Sequence, residues 1–425
     1  MCYCNIIYAA AQHFANNFLP KLPNKYIMAK KYLVVLQHLD PYFSIAEREN
    51  LNWIPDAQVT WDLDQVQADS RFKIFIIPVF NPGGVLPFTD DCSWADLVIG
   101  VTSEMLNGHY PTFFEQITSK INNQNIIFIA GGNGLSSPDR SRFYGPSLRW
   151  VNHIFDNHRD YVHSSIPTAK PYLFDALLGH AHHHRRYILY KLMEDNLLDK
   201  SLVSTWVRQD FTDPDFDQKC LNRELHSHIQ YGDLVRKYGL INFYRSPGLD
   251  ELESVDVIPP KADSVNYTSV YPTSKNCKVM PKELLPMSMD LPTKIFDSSW
   301  YSIVGETSHQ NNQVFITEKT AKPIIAKRVF VLFAAQGCLE FLRSHGFQTF
   351  DGIIDESYDS IEDDQLRWNA ACKQMSWLLT QNPQEILAKV KPRVDHNFAV
   401  MMERGWLLDY VEDLELRVQG LVGQT

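Results

Sequence analysis

Residues 172–207 read YLFDALLGHAHHHRRYILYKLMEDNLLDKSLVSTWV. Tyr172–Leu178 is a short apolar run and reads as a buried strand. Arg185–Leu198 carries Ile188, Leu189, Leu192 and Met193 on one apolar face and reads as an amphipathic helix. Leu202–Val207 reads as the next strand. Strand, helix and strand in succession predict a βαβ unit with parallel strands and an α/β fold.

Upstream, Asp156–Pro171 is polar and aperiodic, so the sequence places a domain boundary at 165/166. Before it, residues 32–37, 73–79, 96–101 and 125–130 are short β-branched apolar runs that read as buried parallel strands. Phe113, Phe114, Ile117 and Ile121 share helical spacing and predict a helix over 110–121. Gly83-Gly84 and Gly131-Gly132-Asn133-Gly134 directly follow strands, where a turn lets backbone approach a ligand or simply reverses the chain. Met28 opens Met-Ala-Lys-Lys ahead of the first strand, so residues 1–27 read as an extension.

Downstream, 244–285 is rich in Pro, Ser, Asp and Asn and predicts a long surface loop. A strand at 300–304, a helix starting near Glu318, a strand at 329–333 and a helix at 337–344 follow. Residues 363–420 read as mostly helical, and 393–425 as a helical tail. The organisation expected is an N-terminal domain over 1–165, a C-terminal domain over 166–392 and that tail. Turns at strand C-termini in both halves suggest two Rossmann-like domains facing a cleft.

The chain has 425 residues, enough for two such cores, and a net charge of -10, which argues against affinity won mainly by neutralising a phosphate backbone. Its seven cysteines lack metal-ligand spacing and predict a reducing, cytoplasmic compartment. No apolar run approaches the ~18 residues of a transmembrane segment.

The densest chemistry lies in Tyr301-Ser-Ile-Val-Gly-Glu306-Thr307, followed by Phe315-Ile316-Thr317-Glu318-Lys319. A strand ends at a carboxylate, and a polar loop leads to Thr-Glu-Lys at a helix start. The helix N-terminus and Lys319 together suit a pyrophosphate. Glu318 suits two ribose hydroxyls. The same residues also describe a Thr317 N-cap with an acid in the first turn. Arg185 and Arg186 open the earlier helix, where cations oppose the helix dipole and call for an anion. The run His180-Ala-His182-His183-His184 beside them does not converge on one metal ion, and no metal site is expected.

The pattern Tyr-x4-Glu, short loop, aromatic-aliphatic-Thr-Glu-Lys resembles the donor-site signature of the α-1,3-fucosyltransferases, the tenth glycosyltransferase family. The resemblance covers about 170–345 and is specific over about 301–325. It implies a GT-B-like pair of Rossmann-like domains, a nucleotide-sugar donor used as co-substrate, inversion at the anomeric carbon and no metal for catalysis. Carried onto this chain, it implies that Glu318 and Lys319 contact ribose and phosphate, that Glu306 matches the strand-ending acid, and that Arg185 or Arg186 holds the diphosphate, Arg185 being preferred. Thr317 belongs to the same signature. Thr307 stands where the family commonly has Asn, and Phe315 where it has Tyr, so the resemblance leaves GDP-sugar and UDP-sugar both open.

Inverting transfer also needs a base for the acceptor hydroxyl. Asp40 and Glu104, each just past an N-terminal strand, are the candidates, with His38 and Asp91 behind them. The acceptor expected is a glycan or lipid-linked saccharide. A hydroxymethylated base in DNA is an alternative acceptor, and a catalytically silent binding protein of the same fold is a further alternative. The segment Asp351–Asp364 holds seven acids in fourteen residues, lies outside the fucosyltransferase signature and reads as a solvated loop with helix caps.

Overall fold

The structure is a computed structural model. It describes residues 32–36, 57–60, 72–78, 94–101, 126–129, 143–144, 169–180, 183–206, 237–238, 243–246, 249, 291–307, 309 and 314–403. The chain divides into two compact units, Met1–Arg149 with Gly405–Thr425, and Trp150–Arg404.

Among the described residues, the first unit holds six strands: β1 (Tyr32–Leu36), β2 (Ala57–Thr60), β3 (Phe72–Pro78), β4 (Leu97–Val101), β5 (Ile126–Ile129) and β6 (Phe143–Tyr144). They form one parallel sheet in the order β2-β1-β3-β4-β5-β6. The four apolar runs became β1, β3, β4 and β5. The short, less apolar β2 and β6 had no legible signal. Leu97 and Val98 are buried, as the continuous apolar character of a two-sided parallel strand requires. The strand order reverses between β1 and β3. The helix expected over 110–121 lies outside the described residues.

The second unit is built on β7 (Tyr172–His180), β8 (Ser201–Trp206), β9 (Phe243–Arg245), β10 (Ser299–Gly305) and β11 (Val329–Phe333). Their order is β11-β10-β7-β8-β9, parallel throughout except for β9, which runs antiparallel to β8. The chain therefore steps outward from β7 to β9 and returns to the other side of β7. Its order reverses between β7 and β10. Every residue of β10 and β11 is buried, as parallel strands covered on both faces require. Residues 243–245, at the margin of the expected loop, form the edge strand.

Among the described residues, six α-helices accompany these strands: α1 (His183–Glu194), α2 (Thr293–Ser298), α3 (Glu318–Ile325), α4 (Cys338–Ser344), α5 (Asp364–Leu379) and α6 (Pro383–Glu403). Helix α6 runs without a break through 392/393, where the sequence reading began a tail. On α1, Ile188, Leu189 and Leu192 are buried as the apolar face demands, but so are His184, Arg185 and Arg186. The reason is a second cover: α5 packs against α1, setting the tilted Trp368 ring against Tyr187 at 5.6 Å between ring centroids, while Tyr187 donates to Asn369. Among the described residues, no helix is long and apolar enough to cross a membrane.

Candidate functional site

Strands β7 and β10 are neighbours, point the same way and end at Gly179–His180 and Gly305. In open α/β sheets the crevice beyond such a reversal of strand order is where ligands bind. Helix α1 starts just after β7 at this edge, and α3 follows β10 after the 306–317 segment.

Arg185, 2% exposed, crosses between the two strand ends. Its Nε donates to Gly305 O at 3.1 Å and its Nη2 to Glu306 O at 2.9 Å. Gly305 is required by this approach, because a Cβ there would lie 2.9 Å from Arg185 Cγ. Gly179, on the other strand, takes φ +55, a left-handed conformation open to glycine, and a Cβ there would lie 3.8 Å from Arg185 Nη1. Burial lowers the Arg185 pKa to about 10, with Glu306 and Glu318 pulling it back upward, so the guanidinium stays charged at neutral pH. His184 Nε2 donates to Glu306 O at 2.7 Å, adding a second side chain of α1 to the same carbonyl.

The Glu306 carboxylate faces inward and is fully buried. Its Oε1 accepts from Thr317 N at 2.9 Å and Thr320 Oγ1 at 2.6 Å, and its Oε2 from Thr317 Oγ1 at 2.6 Å and Thr307 N at 3.0 Å. Four donors fill this carboxylate. It fastens the end of β10 to the first turn of α3. Thr317 is the N-cap of α3, its hydroxyl accepting from Lys319 N at 3.4 Å. Lys319 Nζ reaches Glu318 Oε1 at 2.5 Å, Thr307 Oγ1 at 3.1 Å and Thr317 Oγ1 at 3.4 Å. Glu318 is 8% exposed. Burial raises its carboxyl, but Lys319 and Lys322 outweigh that and leave it below the ordinary carboxylate range. The Lys319 side chain is 25% exposed, more open than its neighbours.

Of the residues singled out in the sequence, Arg185, Glu306, Thr317, Glu318 and Lys319 therefore gather at one sheet edge, although Arg185 and Glu306 are 121 positions apart. Arg186 is buried beside Arg185. The Arg185 guanidinium is bonded to the end of β10. Glu306, the strand-ending acid, has both oxygens engaged by its own chain and positions Thr317 and α3. Asp40, Glu104, His38 and Asp91 lie outside the described residues. Among the described residues, no three His, Cys, Asp or Glu side chains are placed to share a metal ion.

Sequence reasoning missed a third wall. His309, in the segment between β10 and α3, packs against His184 at 4.9 Å and Trp368 at 5.3 Å between centroids. Its Nδ1 stands 3.3 Å from Asp364 Oδ2. Arg367, one turn along α5, donates to His309 O at 3.0 Å and to Ala334 O, just past β11, at 3.1 Å. Asp364, Arg367 and Trp368 recur at i, i+3 and i+4, one face of a helix, and that spacing was the available signal.

The acidic segment also departs from its reading as a solvated loop. Glu356 and Asp359 are buried. Glu356 Oε1 accepts from Phe350 N at 2.7 Å, and the Asp359 oxygens accept from Leu339 N and Glu340 N, each at 3.0 Å. Capping was the correct part of that expectation: Asp363 is the N-cap of α5.

Comparison of the chain with protein-family models, with curated proteins and with solved structures yields no match. The functional reading therefore rests on the geometry above and on the resemblance of the 301–325 signature.

Proposed function

We propose that the chain is a glycosyltransferase, that its Trp150–Arg404 unit binds a GDP- or UDP-sugar in the crevice beyond β7 and β10, and that its two α/β units work together in a GT-B arrangement. The observation that carries this is the convergence of Arg185 with Glu318 and Lys319 at the reversal of strand order. A buried guanidinium, a more open ammonium and the N-terminus of α3 form a cationic edge suited to a diphosphate.

In this reading Lys319 turns from Glu318 to the diphosphate and neutralises the charge that grows on it as the sugar leaves. Released from Lys319, Glu318 accepts from the ribose hydroxyls. Arg185 fixes the ends of β7 and β10 and supplies positive potential from below. The reaction inverts the anomeric carbon and uses no metal in the bond-breaking step. A carboxylate of the first unit takes the proton of the acceptor hydroxyl. Asp40 is favoured over Glu104 because it follows β1, which flanks the reversal of strand order in that sheet. The acceptor is a hydroxyl of a glycan or lipid-linked saccharide.

The test is a panel of UDP-, GDP- and CMP-sugars read by thermal shift and by released nucleotide. One nucleotide diphosphate is expected to raise the melting temperature, and its sugar to be turned over. If no nucleotide diphosphate shifts the melting temperature, the reading fails. Binding without turnover would leave a nucleotide-binding protein and remove the transferase.

A further inference from the structure

Arg367 lies in the first turn of α5 and is buried. A guanidinium carries five N–H groups, and here the protein uses all of them. Nε donates to Ala334 O at 3.1 Å, and Nη1 to Ile361 O at 2.6 Å and Glu362 O at 3.1 Å. Nη2 donates to His309 O at 3.0 Å and to Asp364 Oδ1. Asp364 Oδ2 stands 3.3 Å from His309 Nδ1, so His309 is held twice, by its carbonyl and by its ring. Ala334 follows β11, whose last residue pairs with Gly305, and Glu306 N donates to Phe333 O at 2.9 Å. One buried guanidinium therefore ties the sheet edge at β11 to the segment that leaves β10.

That segment is fixed at Glu306, whose carbonyl accepts from Arg185 and His184, and again at His309 by Arg367. Between the two fixed points lies Thr307, whose hydroxyl accepts from Lys319 Nζ at 3.1 Å. We propose that Arg367 is a positioning residue for the diphosphate: through His309 it holds Thr307 where Thr307 presets Lys319 beside the crevice, its own donors being spent on the protein. This role rests on the reading of the Arg185–Lys319 edge as a diphosphate site. A binding edge whose groups are already ordered loses little conformational freedom when its ligand arrives, whereas a loose one binds more weakly by the cost of ordering it. Lysine at 367 would keep the charge, but its three donors sit on one atom and cannot bridge Ala334, Ile361 and His309 as a planar fork does.

The experiment titrates UDP and GDP calorimetrically into the full chain, native and as Arg367→Lys, Lys319→Ala and the double variant, with a melting temperature for each. Where the native chain binds, Arg367→Lys is expected to weaken affinity about tenfold, the cost of ordering one or two side chains on binding. In the Lys319→Ala background the same substitution should cost about threefold or less, because the group that it presets is gone. Arg328→Lys is the control for a purely structural loss. Its buried guanidinium bonds Asp175, Ser302 and the Phe296 and Ser299 carbonyls where β10 and β11 begin, so this variant should melt lower and bind as the native chain does. If Arg367→Lys does not fold, Asp364→Asn decides, at a side chain 26% exposed: about a threefold loss is expected in the native background and none in Lys319→Ala. Unchanged affinity in the deciding variant, an equal loss in both backgrounds, or a matching loss in Arg328→Lys would overturn the role of Arg367 and leave the diphosphate site standing. If neither UDP nor GDP binds the native chain, the site itself falls and the role of Arg367 falls with it.

Discussion

Helices α3 and α4 follow neighbouring strands, β10 and β11, and treat their N-terminal charge in opposite ways. At α4 the chain supplies its own anion: Asp359 returns from a later segment and takes the N–H groups of Leu339 and Glu340 on its two oxygens. At α3 the cap is a neutral hydroxyl, Thr317, and the nearby Glu306 carboxylate takes Thr307 N, the N–H of the cap residue itself and the Thr317 and Thr320 hydroxyls, but no N–H of a residue within α3. A lysine then stands at the second position of α3, partly open to solvent and held by Glu318. A helix end that is closed by an internal carboxylate has spent its electrostatic attraction. One that carries an added cation and a neutral cap retains attraction for an external anion. The difference separates a structural terminus from a candidate site more sharply than either sequence does alone.

The largest effect that tests this contrast is expected at Glu306. Glu306→Ala strips the partner from four donors in a buried setting and should lower stability by about 3 kcal/mol or more in denaturant unfolding. A loss under about 1 kcal/mol would mean that something else fixes α3 to β10. Next comes Lys319→Ala. It should weaken nucleotide diphosphate binding by about 1.5–3 kcal/mol in calorimetry, with little change in melting temperature, since the side chain lies on the surface of the core. The reverse outcome, intact binding and a lower melting temperature, would make α3 as structural as α4. Asp359→Asn is the matching control at the closed terminus. It should cost about 1–2 kcal/mol of stability through its two backbone hydrogen bonds and leave nucleotide affinity unchanged. Weaker nucleotide binding in that variant would dissolve the distinction between the two ends.

The parts of this edge that sequence made legible are those with local causes. The β7–α1–β8 unit and β10, α3 and β11 could be read because buried parallel strands are uninterrupted apolar runs and because Thr317-Glu318-Lys319 is a local helix start. Arg185 was legible as a cation at a helix N-terminus that needs an explanation. The direction in which Glu306 points was not, because an acid at a strand end has the same sequence whether it meets a ligand or its own chain. His309 and Asp364 are 55 positions apart, and Asp359 reaches back 20 positions to Leu339. Such pairings are decided by the packing of α5 and by the turn at 357–360, which no periodicity encodes. Strand β9 is three residues long and exists through its pairing with β8.

The smallest effect expected is a pH dependence carried by Glu318. Burial raises its carboxyl, but the positive charges of Lys319 and Lys322 and the hydrogen bond from Lys319 lower it further, so its folded value lies below the ordinary value of 4.5. Between those two values the unfolded chain binds a proton that the folded chain does not, and stability rises with pH there. The contribution is complete above about pH 4.5 and is lost as the pH falls through the folded value. Glu318→Gln removes it, so the variant should be less stable than the native chain at neutral pH and should approach it as both are acidified. Urea unfolding at a series of pH values from neutral to about 3 reads this directly. A stability gap that stays constant across the series would show that Glu318 acts through packing and not through its charge. The same gap should narrow when Lys319→Ala is added, because each residue is the other's ion-pair partner in the ligand-free protein. Independent, additive losses would mean that Lys322 and the helix N-terminus hold Glu318 without Lys319, and that Lys319 can leave for a diphosphate at little cost to the fold.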